Sequence, residues 1–308
     1  MTQQKYIPAI DGLRALAVLS VILFHGFPEM FPGGFIGVDV FFVISGFLIT
    51  QIIDTQAKSN QFSFVDFYSR RIRRIFPSLI LVFLVVYGLG WFVMLPGEFM
   101  QLGKHIFAGA SFISNWVYWL EAGYFDELAE LKPLLNLWSL GVEEQFYIFW
   151  PIIILALVRL RLSVQKILTC LVFASFLLNV LGVRSYPSAT FYLPFARMWE
   201  LGVGGLIAIY SPYAASKITN NKLAFFGLAL MLAPVFYLSP KSTFPGWAVV
   251  PPVLGAALLL WTIRADGFVV KYLSSRWMIF LGLVSYPLYL WHWPALSLGR
   301  LIKGALLS

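Results

Sequence analysis

The sequence predicts an all-α protein built as a polytopic transmembrane helix bundle of nine to ten spans, one segment of which reads as re-entrant. Three observations carry that expectation. Of the 308 residues, 60% are hydrophobic and only 12% charged, and the mean hydropathy is +0.81, too little polar surface to cover a soluble domain. Apolar runs long enough to cross about 30 Å of hydrocarbon recur from one end of the chain to the other. The cations between those runs are distributed asymmetrically.

Nine runs are of span length, near 9–28, 35–54, 75–95, 138–158, 166–183, 189–210, 222–239, 246–263 and 277–297. A tenth, 103–120, is shorter and holds His105, Ser111, Ser114 and Asn115, so it is expected to dip in and return. Of 22 Lys and Arg, Arg14 and Arg197 fall well inside runs, away from their ends. With a cytoplasmic N-terminus, fourteen of the others lie inside: Lys5, Lys58, Arg70, Arg71, Arg73, Arg74, Arg159, Arg161, Lys166, Lys217, Lys222, Arg264, Lys271 and Arg276. Six lie outside: Lys104, Lys132, Arg184, Lys241, Arg300 and Lys303. If 103–120 crossed, every later loop would invert and break the positive-inside pattern. Residues 1–28 lack a signal-peptide cleavage pattern and read as a retained first span. No repeat or low-complexity tract appears, so 1–308 is expected to be one membrane-embedded domain.

The absences narrow the chemistry. A lone Cys170 excludes a disulfide framework and a cysteine metal site. There is no G-x-S-x-G elbow, no H-E-x-x-H zinc helix and no G-x-x-x-x-G-K-[ST] phosphate loop. No metal and no nucleic acid is expected; membrane lipids are the surroundings.

The first run, DGLRALAVLSVILFH, carries Asp11, Arg14 and His25 where ionisable side chains are expensive. Eleven residues turn a helix through three turns plus about 20°, so Arg14 and His25 share a face about 16 Å apart along the axis. Asp11 sits one turn from Arg14, within ion-pair reach. Just before the second run, Gly33 and Gly34 are expected to form a tight turn with positive φ that brings it beside the first. Asp39 would then lie at a depth comparable to His25, where a carboxylate could orient an imidazole. RRIRRIFP places Arg70, Arg71, Arg73 and Arg74 between the second and third runs; Arg71 and Arg74 share one helical face, Arg70 and Arg73 another. Guanidinium forks match phosphate geometry. In WSLGVEEQFYIFWP, Glu143 and Glu144 point about 100° apart, so at most one of them readily faces the core; Glu143, on the face of Tyr147, is the choice. Arg197 and Glu200, at spacing three, are expected to pair. His292, between two tryptophans, and His105 read as interfacial.

With its arginine, ten residues and histidine in the first span, the sequence resembles the acyltransferase-3 family of membrane O-acyltransferases. GGFIGVDVFFVISGFLIT, FYSRRIRRIFP, WSLGVEEQFYIFWP, FARMWELGVGG and SYPLYLWHWP follow in the family's order over nearly the whole chain. The similarity is greatest to the branch that acetylates bacterial surface polysaccharides such as lipopolysaccharide O-antigen. The resemblance implies acetyl-CoA as donor, a lipid-linked or surface polysaccharide as acceptor and a bacterial inner membrane location. It also implies an extracytoplasmic SGNH-type domain often appended in that branch and absent from this chain. On that reading the donor's phosphates meet Arg71 and Arg74, with Arg70 and Arg73 beside them. The pantetheine arm passes Arg14, and His25 acts as general base or as covalent acetyl carrier, two routes that the sequence leaves open. Asp39 steadies His25, and Glu143 faces the passage. The rival class is a transporter, since proton relays use similar residues; paired-half symmetry, which many transporters show, is not visible.

Overall fold

The computed structural model describes residues 6–122, 131–214, 221–263 and 267–307; the cations Lys5, Lys217 and Arg264 lie outside the described residues. The chain runs through α1 (Pro8–Gly26), a 3-10 turn (Gly34–Ile36), α2 (Gly37–Lys58), α3 (Phe64–Val93), α4 (Pro96–Ala110), α5 (Ser114–Glu121), α6 (Leu137–Arg159) and α7 (Val164–Gly182). It continues through α8 (Pro187–Tyr192), a 3-10 turn (Pro194–Ala196), α9 (Met198–Ala214), α10 (Asn221–Leu232), α11 (Pro234–Tyr237), a 3-10 turn (Gly246–Val249) and α12 (Val250–Thr262). It ends with α13 (Phe268–Leu273), α14 (Arg276–Leu283) and α15 (Ser285–Leu307). No strand occurs among the described residues, and five helices, α1, α2 with its preceding turn, α3, α6 and α7, are long and apolar enough to cross a membrane. This is an all-α, multi-pass membrane protein.

The remaining apolar runs are interrupted rather than continuous. The 189–210 run is α8 and α9 separated by the Pro194–Ala196 turn, 222–239 is α10 and α11, 246–263 is a 3-10 turn and α12, and 277–297 breaks between α14 and α15. Proline explains two of these breaks: Pro194 and Pro234 each open the next element, where a missing N–H costs nothing. The 103–120 segment is likewise α4 and α5 around a turn at Phe112, whose φ is +56°. The third expected span begins earlier than its apolar run: Ser63 caps α3 by accepting from the Asp66 N–H at 3.2 Å, so the arginine cluster is helical and not a loop between spans.

The chain divides into two compact units, 1–61 with 146–285 and 62–145 with 286–308. In the first, α2 and α9 touch through glycine on both sides. A Cβ on Gly46 would collide with the Leu201 carbonyl, and one on Gly204 with that of Val43. Small residues that let backbones meet are the membrane's substitute for a hydrophobic driving force between helices. Leu13, Val43, Ile44, Phe47, Trp199 and Leu260 belong to this unit's core. The second unit gathers Leu79, Val82 and Val86 of α3 with Leu102, Leu137 and Leu290.

Candidate active site

In the first unit the site begins on α1. Pro8 opens the helix, Asp11 occupies its first turn and His25 its last. Arg14 Nη1 lies 3.4 Å from Asp11 Oδ1, the pair expected from their spacing, and the Tyr6 hydroxyl donates to Asp11 Oδ2 at 2.6 Å. That hydrogen bond, with burial and the aspartate's charge, pushes the Tyr6 phenol up to about 12. Asp11 is buried, whereas Arg14 and His25 are both half-buried, and half of the positions between them are buried.

The start of α2 is held against α1. A Cβ at Gly34 would strike the Ser20 carbonyl, and one at Gly37 that of Ala17. The expectation of positive φ at Gly33 and Gly34 is corrected here: Gly33 has φ −102°, and among the described glycines only Gly246 is positive. These glycines are required by proximity rather than by a left-handed turn. A Cβ at Gly33 would itself meet the Pro234 carbonyl.

Asp39, expected beside His25, is fully buried and accepts a hydrogen bond from Arg197 Nη2. Arg197 Nη1 lies 3.2 Å from Glu200 Oε1, so the expected Arg197–Glu200 pair is present and Asp39 makes it a triad. The guanidinium also sits 5.6 Å from the ring of Phe42, 5.8 Å from that of Phe191 and 5.7 Å from that of Phe244. A planar cation flanked by carboxylates and ring faces is the form in which arginine tolerates complete burial. Arg197 reaches this position because the chain breaks at Pro194 just before α9.

In the second unit, Arg71 and Arg74 act on Glu144 electrostatically from one face of α3; Arg71 is half-buried, Arg70, Arg73 and Arg74 are exposed, and Arg73 Nε turns back to the Ser69 carbonyl at 3.3 Å. Arg71 also lies over the Phe67 ring at 5.8 Å. The buried acid of the pair is Glu144, 6% exposed; Glu143 is half-buried. Sequence reasoning singled out Glu143 for sharing a face with Tyr147, because the 100° between neighbours lets at most one acid turn inward readily without saying which. Tyr286 donates to the Ile75 carbonyl at 3.0 Å and lies within the field of the same two acids and Arg74.

Two further networks escaped the sequence. Gln145 donates to the Phe112 carbonyl at 2.7 Å and to Asn115 Oδ1 at 2.8 Å, and accepts from Trp116 at 3.3 Å, so one side chain braces the α4–α5 turn. His105, read as interfacial, is buried: its Nε2 meets Glu121 at 2.9 Å, and Glu121 also pairs with Lys104 at 2.7 Å and Lys132 at 3.2 Å. Burial would raise the Glu121 carboxyl, but hydrogen bonds from His105 and Lys104 with the charges of His105 and Lys132 hold it down at about 2. His292, half-buried, places Nδ1 2.7 Å from the Tyr289 carbonyl. Among the described residues no group of three His, Cys, Asp or Glu side chains could hold a metal.

The all-α membrane fold, with a paired arginine and a histidine on its first helix, suits a membrane acyltransferase. The family model described as an acyltransferase domain matches residues 7–306, and the chain belongs to the acyltransferase-3 family. It is 33% identical to YrhL of Bacillus subtilis (strain 168) over 97% of this chain and 50% of that protein. It is 32% identical to the peptidoglycan O-acetyltransferase OatA of Listeria monocytogenes over 96% of this chain and 50% of that one. With the O-acetyltransferase OatA of Staphylococcus aureus the identity is 29%, covering 96% and 51%. The chain thus spans about half the length of the curated relatives it matches. No solved structure matches it.

Proposed function

We propose that this chain moves an acetyl group from acetyl-CoA to a hydroxyl of a cell-envelope polysaccharide, working as a single multi-pass domain of the bacterial cytoplasmic membrane. The observation that carries the reading is α1, where Arg14, held by Asp11, and His25 lie on one helix and are both half-buried, so neither is sealed in the core. His25 takes the proton of the acceptor hydroxyl as its oxygen attacks the thioester carbonyl. The C–S bond breaks, and the proton passes to the departing CoA thiolate, leaving an ester and a free thiol. Arg71 and Arg74 contact the donor's phosphates through their guanidinium forks. Peptidoglycan, named for the Listeria relative, is preferred as acceptor over the O-antigen to which the sequence motifs first pointed.

The test is transfer of label from acetyl-CoA to glycan by membranes containing the chain, with His25→Ala alongside. Transfer should fall by about 10²- to 10⁴-fold in that variant while its melting temperature is kept. Wild-type transfer by His25→Ala would refute the reading, and label crossing the bilayer without appearing on glycan would favour a transporter.

A further inference from the structure

The buried triad is joined to the end of α1 by a chain of rings. Arg197 lies 5.7 Å from the Phe244 ring. Phe244 meets Phe35 edge-on at 4.7 Å, and Phe35 meets Phe24 edge-on at 5.3 Å. Phe24 precedes His25 in sequence, and the two rings are 4.8 Å apart. Phe24 is also held close at its base, since a Cβ on Gly34 would lie only 2.9 Å from its own Cβ. At the far end, the guanidinium is immobilised by Asp39 and Glu200. Three sequence-distant segments, the residue before α9, the loop before α12 and the 3-10 turn before α2, are therefore linked in series to the ring next to the histidine.

We propose that Arg197, acting through Phe244 and Phe35, is a positioning residue for His25. The anchored cation fixes the Phe244 ring, and the edge-to-face contacts hand that fixed geometry to Phe24. The imidazole one residue further on then has a set direction along α1. The inference rests on the reading of His25 as the proton acceptor. It also gives Asp39 a role: it bears on the histidine by holding Arg197.

A proton acceptor displaced by a fraction of an ångström still leaves donor binding intact, so the effect belongs in kcat. Phe35→Leu and Phe244→Leu keep apolar bulk and lose the ring; Phe35→Tyr and Phe244→Tyr keep the ring, and both positions are half-buried. With the full chain in proteoliposomes and labelled acetyl-CoA, each Leu variant should lower kcat about tenfold at unchanged KM for acetyl-CoA. Each Tyr variant should restore kcat to near the wild-type value. Arg197→Lys, which keeps the charge and loses the planar contact, should resemble the Leu variants. Leu variants with wild-type kcat, or Tyr variants as impaired as the Leu ones, would overturn the positioning role. His25→Ala, run in parallel, separates the two ideas: activity in that variant sinks the catalytic reading itself. Its inactivity beside fully active Leu variants sinks only the positioning of His25 through the rings.

Discussion

Two ionic clusters in this protein solve the same problem differently. Arg197, Asp39 and Glu200 are enclosed between α2 and α9 with phenylalanine rings around the cation, and each residue is 0% exposed. Glu121, with Lys104, His105 and Lys132, gathers around α4 and α5, and Lys104 opens to solvent. In the first, water cannot replace a missing partner, so geometry and charge must both be complete. In the second, solvent compensates part of any loss. The enclosed cluster should therefore be brittle and the open one graded.

The largest effect follows from breaking the enclosed set. Asp39→Ala leaves Arg197 short of a carboxylate in a dry site and should destabilise the protein by about 3–5 kcal/mol, read as a lowered melting temperature in detergent. Replacing the three together by apolar residues of similar size should recover most of that stability. If Asp39→Ala melts like the wild type, the enclosed cluster is not brittle and the contrast fails.

A smaller loss tests a buried neutral bond against these ionic ones. Trp150 of α6 donates its indole N–H to Thr50 Oγ1 of α2 at 2.8 Å, and both residues are buried. Thr50→Val keeps the shape and orphans the indole, which should cost about 1–3 kcal/mol. Thr50→Ser, which keeps an acceptor, should cost less. Equal losses for the two would mean that packing, and not the hydrogen bond, holds α6 to α2.

The same contrast separates what was legible in the sequence from what was not. Helical spacing gave the Asp11–Arg14 and Arg197–Glu200 pairs, because three residues always bring side chains to one helical face. Apolar length gave α1, α2, α6 and α7 nearly to their ends. Asp39–Arg197 spans 158 positions, and no periodicity connects residues that far apart. Glu121 met His105 and Lys132 for the same reason only in the folded chain. The breaks in the later runs were not legible because hydropathy averages over a run and does not register a backbone break at Pro194, Pro234 or Val284. Glu144 was hidden by its neighbour: composition supplies two adjacent acids, and only helix packing chooses which one is buried.

The smallest effect belongs to the open cluster, and pH reveals it. The Glu121 carboxyl titrates at about 2 in the folded protein against an ordinary value of 4.5, so folding favours its ionised form. Its stabilising contribution is therefore complete above about pH 4.5 and fades as the pH falls toward 2. Glu121→Gln removes the charge at every pH. At pH 7 the variant should melt below the wild type by an amount equivalent to about 1 kcal/mol, since part of the cluster is screened by solvent. Between pH 4.5 and 2 the two curves should converge, because the wild type loses what the variant never had. Added salt should narrow the gap at pH 7 as well, while leaving the Asp39→Ala loss nearly unchanged. A gap at pH 7 that persists undiminished to pH 2 would assign Glu121 a role through shape alone. A salt response shared by both variants would show that the enclosed cluster is no drier than the open one.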